Sequence, residues 1–229
     1  IYTVLDKVMI GTIVSNKAEV GFYEQAQKMI KLFLTIATSF GVVMMPRVAA
    51  TFAEGNKNKI KKYMNISFSF VMFLAFPLMF GVMSIAYQFV PIFYGEGYAK
   101  VAPLLCIISP IIVLIGLSNV IGTQYLLPTK QQNKYTTSVV IGALINFILN
   151  IILIGKYASI GGAIATVIAE LCVTSIQFYL IKNELKIKEI FLRVYKYIIA
   201  SIIMFAFNKL VIGQISNGIV SIIIQIIMS

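Results

Sequence analysis

Residues 101–127 read VAPLLCIISPIIVLIGLSNVIGTQYLL, a run without a single Asp, Glu, Lys or Arg. As a helix rising ~1.5 Å per residue, such a run spans roughly 40 Å, more than the ~30 Å hydrocarbon core of a bilayer. Comparable runs recur on both sides of it. Working outward, the chain divides into about eight hydrophobic segments: 1–15, 20–45, 63–90, 101–127, 135–155, 160–181, 190–212 and 216–229. Composition agrees: the 229 residues are 59% hydrophobic and only 12% charged, about half the charge a soluble domain carries. Mean hydropathy is +0.93. The pattern predicts an all-α membrane protein, a polytopic helical bundle of about eight transmembrane segments. Pro46 is expected to kink the second segment, which then continues for a turn or two to about residue 53. Pro77 and Pro110 fall inside spans, where neighbouring groups can satisfy the freed carbonyls.

The formal net charge of +11 is explained by position. One set of alternate connections holds Arg47, Lys57, Lys59, Lys61, Lys62, Lys130, Lys134, Lys182, Lys186, Lys188, Arg193 and Lys196, twelve basic residues. The other set holds four, Lys17, Lys100, Lys156 and Lys209. Basic residues concentrate on cytoplasmic loops, so the chain enters the membrane from the cytoplasm at residue 1. The clusters are topology signals, compatible with anionic-lipid binding, and do not form a nucleic-acid surface. With no Trp in the chain, interfacial rings are supplied by tyrosines near span ends, among them Tyr23, Tyr63, Tyr87, Tyr94, Tyr135, Tyr157 and Tyr179.

Composition also removes most catalytic chemistry. The chain contains no His, and Cys106 and Cys172 both lie inside apolar runs away from any carboxylate cluster. No metal site, cofactor motif, P-loop or nucleophile elbow is present in the sequence. The reading is a non-enzyme without cofactors.

Three basic residues remain after the loops are assigned: Lys7, Lys28 and Lys31. They share the first two spans with Asp6 and Glu24. Counted from the turn near residue 17, all three lysines lie roughly 12–17 Å below the outer rim, in one layer near the midplane. Glu24, Lys28, Lys31, Thr35 and Thr38 recur at three- and four-residue steps, one polar stripe on an apolar helix. Glu24 precedes Lys28 in a favourable i,i+4 pair, and Asp6 is expected to pair with Lys7 or Lys28. Three cations against two anions suit an anionic ligand such as a phosphate group. The other reading of these residues is an internally paired network with snorkelling lysines. A second polar set lies on the hairpin of spans five and six: Ser138, Gly142, Asn146 and Asn150 facing Thr166, Glu170, Thr174 and Gln177. Glu170 is expected to hydrogen-bond Asn146, either as interhelical polar glue or as a coupling or gating carboxyl. Gly161, Ala165 and Ala169 form a small-residue face for helix packing.

Several fragments resemble one family in order and spacing. Leu5-Asp6-Lys7, Met9-Ile10-Gly11 and Val20-Gly21-Phe22-Tyr23 with Ala26 and Lys28 resemble the start of the C-terminal half of Wzx-type polysaccharide flippases. These flippases share a superfamily with lipid II flippases and MATE multidrug antiporters. Met45-Pro46-Arg47, Phe93-Tyr94-Gly95 with Tyr98, Ala102-Pro103-Leu104 and the run 121–126 follow in order. Asn146, Asn150 and the run 161–166 with Glu170 complete the resemblance. It implies the second lobe of a two-lobe MATE-like flippase fold, with residues 1–181 as the lobe and 182–229 as two additional segments. The chain is then expected to be a piece of a longer transporter. The implied substrate is an undecaprenyl-diphosphate-linked oligosaccharide, moved from the cytoplasmic to the outer leaflet of the bacterial cytoplasmic membrane for capsule or cell-surface polysaccharide, including O-antigen. Lys7, Lys28 and Lys31 would then contact the diphosphate, with Asp6 and Glu24 as their charge network. Glu170, Asn146 and Asn150 would serve coupling or gating, with H+ or Na+ as coupling ion and a polysaccharide polymerase as partner. The rivals are a MATE-like cation antiporter, whose site should be net acidic, a lipid II flippase, a membrane-embedded glycan polymerase, which needs a large outer loop, and a structural scaffold.

Overall fold

The computed structural model describes residues 2–185 and 187–211. Among them the regular elements are all helical: α1 (Tyr2–Ile13), α2 (Ala18–Thr38), α3 (Phe40–Ala53), α4 (Lys57–Tyr94), α5 (Val101–Ile108), α6 (Ile111–Ile121), α7 (Gln132–Tyr157), α8 (Ser159–Ile181) and α9 (Ile187–Val211). Five continuous segments are long and apolar enough to cross a bilayer: Ala18–Ala53, Lys57–Tyr94, Val101–Leu126, Gln132–Tyr157 and Ser159–Ile181. With α1 and α9 these account for the first seven expected segments; the eighth, 216–229, lies outside the described residues.

The innermost segment is the one that opened the sequence reading. In Val101–Leu126, 61% of the most apolar stretch is buried, against 28% in Gln132–Tyr157. The α5–α6 segment packs against α2, α4 and α8, while α7 pairs chiefly with α8 and α9 chiefly with α4. On α7, Leu144, Phe147, Ile148 and Ile151 point outward, the side chains a lipid-facing helix presents.

Hydroxyl groups mark where the spans bend. Pro110 has no amide hydrogen to give Cys106 O, and Ser109 Oγ donates to that carbonyl instead at 3.0 Å. In the second span α2 and α3 are separated at Ser39, whose backbone stays helical (φ −55°, ψ −35°), and Pro46 sits inside α3. Thr35 Oγ1, Thr38 Oγ1 and Ser39 Oγ donate to the carbonyls of Lys31, Leu34 and Ile36 at 2.8–2.9 Å. Three side chains bonded back onto one helix within five residues compete with its backbone ladder where α2 gives way to α3. The helix does continue to Ala53, as the sequence suggested.

After α6 the chain widens into a π-helical turn, Gly122–Leu126, closed by the Leu127 amide donating to Gly122 O at 3.0 Å. A Cβ on Gly122 would stand 2.5 Å from the Tyr135 ring, so only glycine lets α7 start this close. The α7–α8 hairpin is tighter still. A Cβ on Gly161 would collide with the Leu153 carbonyl, and Ala165 and Ala169 are fully buried on the same face. The small-residue spacing is therefore a packing face.

Candidate functional site

Asp6 and Lys7 are adjacent on α1, about 100° apart around the helix axis, and serve different surroundings. Asp6 turns into the bundle and is fully buried. Its Oδ2 accepts from the Tyr23 hydroxyl at 2.7 Å and from Thr166 Oγ1 at 2.9 Å. Its Oδ1 accepts from Asn150 Nδ2 at 2.6 Å. Gln27 Nε2 donates to the Tyr23 hydroxyl at 2.8 Å, and Asn150 Nδ2 also reaches Asn146 Oδ1 at 3.1 Å. One carboxylate thus ties α1 to α2, α7 and α8. Three donors converge on it, which is how a buried carboxylate is tolerated.

Three expectations are corrected by this geometry. Asp6 pairs with neither Lys7 nor Lys28, because its helical position aims it at α7 and α8. Glu170 does not bond Asn146, whose Nδ2 is left without a hydrogen-bond partner. Asn146 and Asn150 belong to the Asp6 network. Tyr23 is not an interfacial ring either: its fully buried side chain is the hub through which Asp6, Gln27 and Thr166 meet.

Lys7 faces a cleft of about 550 Å³ bounded by α1, α2, α6, α7 and α8. Lys28, Lys31 and Glu170 line the same cleft, with Gln27 and Thr166 at the wall it shares with the Asp6 network. Glu24 Oε1 holds two ammonium groups at once, Lys7 Nζ and Lys28 Nζ, each at 3.3 Å. Lys31 stands one turn further along α2, exposed, with no carboxylate in ion-pair range among the described residues. Thr35 and Thr38 leave the stripe, being bonded to their own helix. The cleft therefore gathers three lysines and two carboxyl groups, Glu24 and Glu170. The three-to-two count survives with Glu170 taking the place of Asp6. With α8 brought against α2, residues read as two separate polar sets become one site.

Two further ionic clusters were not read from the sequence. At one end of the bundle, Glu19 is 5% exposed and bridges three elements. It accepts from Lys100 Nζ at 2.6 Å and from Ser159 Oγ and the Ser159 amide at 2.5 and 3.2 Å. In the α8–α9 connection, Glu184 accepts from Tyr125 and Gln131, each at 2.7 Å, and from Lys134 at 2.5 Å. Burial pushes the Glu184 carboxyl up, but the bonds from Lys134, Gln131 and Tyr125 outweigh it and hold it below its ordinary value. The available signal for Glu19 was a carboxylate in the first turn of a helix. Nothing in sequence alone links Glu184 to partners fifty or more residues away.

These features define a helical membrane lobe whose spans converge on a net basic cleft. A family profile described as "Polysaccharide biosynthesis protein" matches residues 1–103. The chain is 24% identical over 214 residues to a probable low-salt glycan biosynthesis flippase of Haloferax volcanii, covering 92% of this chain and 45% of that protein. It is 26% identical over 182 residues to a putative O-antigen transporter of Escherichia coli, covering 77% and 42%. It is 26% identical over 161 residues to the lipid II flippase MurJ of Bacillus subtilis, covering 69% and 29%. These matches bear out the resemblance to polysaccharide flippases. The fold matches a structure titled lipid II flippase MurJ, inward closed conformation, with a TM-score of 0.80 at 18% identity. That match covers 99% of this chain and 49% of the other. The chain spans less than half the length of the relatives it matches.

Proposed function

We propose that this chain is the C-terminal lobe of a flippase that carries an undecaprenyl-diphosphate-linked oligosaccharide unit across the cytoplasmic membrane of a bacterium. Translocation runs by alternating access, for capsule or cell-surface polysaccharide assembly. The observation that carries the reading is the convergence of Lys7, Lys28 and Lys31 on one intramembrane cleft. Three point charges at one depth stabilise the diphosphate where hydration is lost, and charge inside a membrane is costly enough that it marks a substrate path. Glu24 holds Lys7 and Lys28 in place between transport events. Glu170 on the opposite wall is the coupling or gating carboxyl, with H+ or Na+ as the coupling ion. Residues 1–181 form the lobe and 182–229 append two segments; a polysaccharide polymerase takes the delivered unit.

A MATE-like exporter of organic cations fits this cleft poorly, because its lysines repel such a substrate. Flipping of lipid II is the second reading, favoured by the similarity to the Bacillus subtilis lipid II flippase. It differs in the sugar and not in the diphosphate chemistry. The test is made in cells carrying the full-length protein. Lys28→Ala is expected to accumulate lipid-linked sugar on the cytoplasmic leaflet, measured by protection from an externally added glycan-modifying enzyme. Normal flipping after Lys7, Lys28 and Lys31 are all replaced by Gln overturns the reading.

A further inference from the structure

One face of α4 lies outside the cleft and changes polarity along its length. Asn58, Lys61, Lys62, Asn65, Ile66, Ser69, Phe70 and Phe73 follow at three- and four-residue steps, so they form one stripe. The stripe floors an open groove of about 830 Å³ whose far wall is Tyr197 of α9. Phe73 and Tyr197 meet edge to face with ring centroids 5.6 Å apart. Asn58, Lys61, Lys62 and Ile66 are exposed, and Phe73 is 54% exposed despite its aromatic neighbour.

From Asn58 to Phe73 the stripe runs roughly 22 Å along the helix. That equals one leaflet, half of the ~40–45 Å that a bilayer occupies with its headgroups. The order of chemistry matches as well: lysines and amides at the cytoplasmic end, then Ser69, then phenyl rings toward the midplane. Among the described residues no carboxylate lines the groove. The neighbouring cytoplasmic pocket differs in this respect, because Glu184 contributes to its wall beside Lys57 and Lys61. Charge complementarity therefore selects the groove.

We infer that the α4–α9 groove is a binding site for an anionic phospholipid of the cytoplasmic leaflet. Lys61 and Lys62 hold its phosphate, and its acyl chains lie along Phe70, Phe73 and Tyr197. The inference stands apart from the transported substrate, since the groove lies on a different face from the lysine cleft and shares none of its lining residues.

The test places a benzoylphenylalanine photocrosslinker at position 73 of the full-length protein. The protein is reconstituted in vesicles of dioleoyl phosphatidylcholine and dioleoyl phosphatidylglycerol at a four-to-one ratio. Lipid adducts on the α4 peptide are counted by mass spectrometry. Phosphatidylglycerol adducts are expected to be enriched at least about fivefold over the bulk ratio, the scale set by lysines at a membrane surface. Lys61→Gln with Lys62→Gln should return the adducts to the bulk ratio. Lys130→Gln with Lys182→Gln removes the same charge elsewhere on the cytoplasmic side and should leave the enrichment in place. Bulk-ratio adducts in the unsubstituted protein overturn the proposal. So does equal loss in both lysine pairs, which signals diffuse attraction only, and so does the lack of any lipid adduct, which signals a groove covered by protein.

Discussion

Asp6 and Lys7 show what residue type alone conveys and what it does not. Both were legible as costly intramembrane charges, and the depth of Lys7, Lys28 and Lys31 followed from counting residues. Partner choice was not legible, because it depends on which helix packs on which face of α1. Asp6 meets α7 and α8, more than a hundred residues away in sequence. Local pairs such as Glu24 with Lys28 are fixed by helical geometry and were read correctly. Glu184 belongs to the other kind, and its energetics can be tested by pH. Its carboxyl is held below the ordinary value, so its bonds to Lys134, Gln131 and Tyr125 contribute full stability above the unfolded-state carboxylate range. That contribution is lost as pH falls through the lowered native value. Partial exposure keeps it small. Thermal midpoints of the detergent-solubilised protein should therefore be lower for Glu184→Gln than for the unsubstituted chain at neutral pH. The gap should close as pH falls below about 4. A gap that widens on acidification refutes the ionic role of Glu184.

At the scale of elements, apolar period and length located the five helices long and apolar enough to cross a bilayer, with α1 and α9 falling on two further expected segments, since a span must be about 20 apolar residues whatever its tertiary partners. Boundaries and bends were harder. Pro46 is the conspicuous breaker in the sequence, yet α3 runs through it, and the boundary between α2 and α3 falls at Ser39, whose hydroxyl bonds back to Ile36. The α7–α8 hairpin depends on one small residue more than on any other feature. Its connecting residue, Ala158, has φ of +52°, which an L-residue adopts at some cost, and the helices then close onto Gly161. Gly161→Ala must push backbone away from backbone, an overpacking worth about 2–3 kcal/mol or more. The expected drop in thermal midpoint is roughly 5–10 °C. Gly155→Ala is the control on the same helix, because its Cβ would meet nothing within 4 Å. It should be neutral or stabilising by up to ~1 kcal/mol through helix propensity. Equal effects of the two substitutions would show that the hairpin contact is not as close as described.

Orientation belongs to the whole molecule, because it is set by a sum over loops and no single contact fixes it. The connections at 54–56, 127–131 and 182–186 alternate in the chain with those at 14–17, 95–100 and 158. The first set is flanked by twelve basic residues and the second by three, Lys17, Lys100 and Lys156, with Lys209 at the far end of α9. Insertion of the opposite hand would leave those twelve to be translocated, and the positive-inside rule disfavours that. Orientation also decides what the other features mean. With residue 1 entering from the cytoplasm, the Glu19–Lys100–Ser159 cluster seals the outer end of the bundle. The Glu184 cluster seals the inner end, and Lys61 and Lys62 reach the leaflet that carries anionic lipid. The measurement is cysteine labelling in intact cells, on the full-length protein made cysteine-free. Gly97→Cys is suitable because a Cβ there meets nothing within 4 Å, and Asn183→Cys because Asn183 is exposed. A membrane-impermeant maleimide should modify Gly97→Cys in intact cells, and Asn183→Cys only after permeabilisation. Reversed labelling would turn the basic clusters outward. The lysine cleft would survive that result, since its depth is counted from the turn near residue 17 whichever side that turn faces, but the phospholipid groove would lose its anionic leaflet.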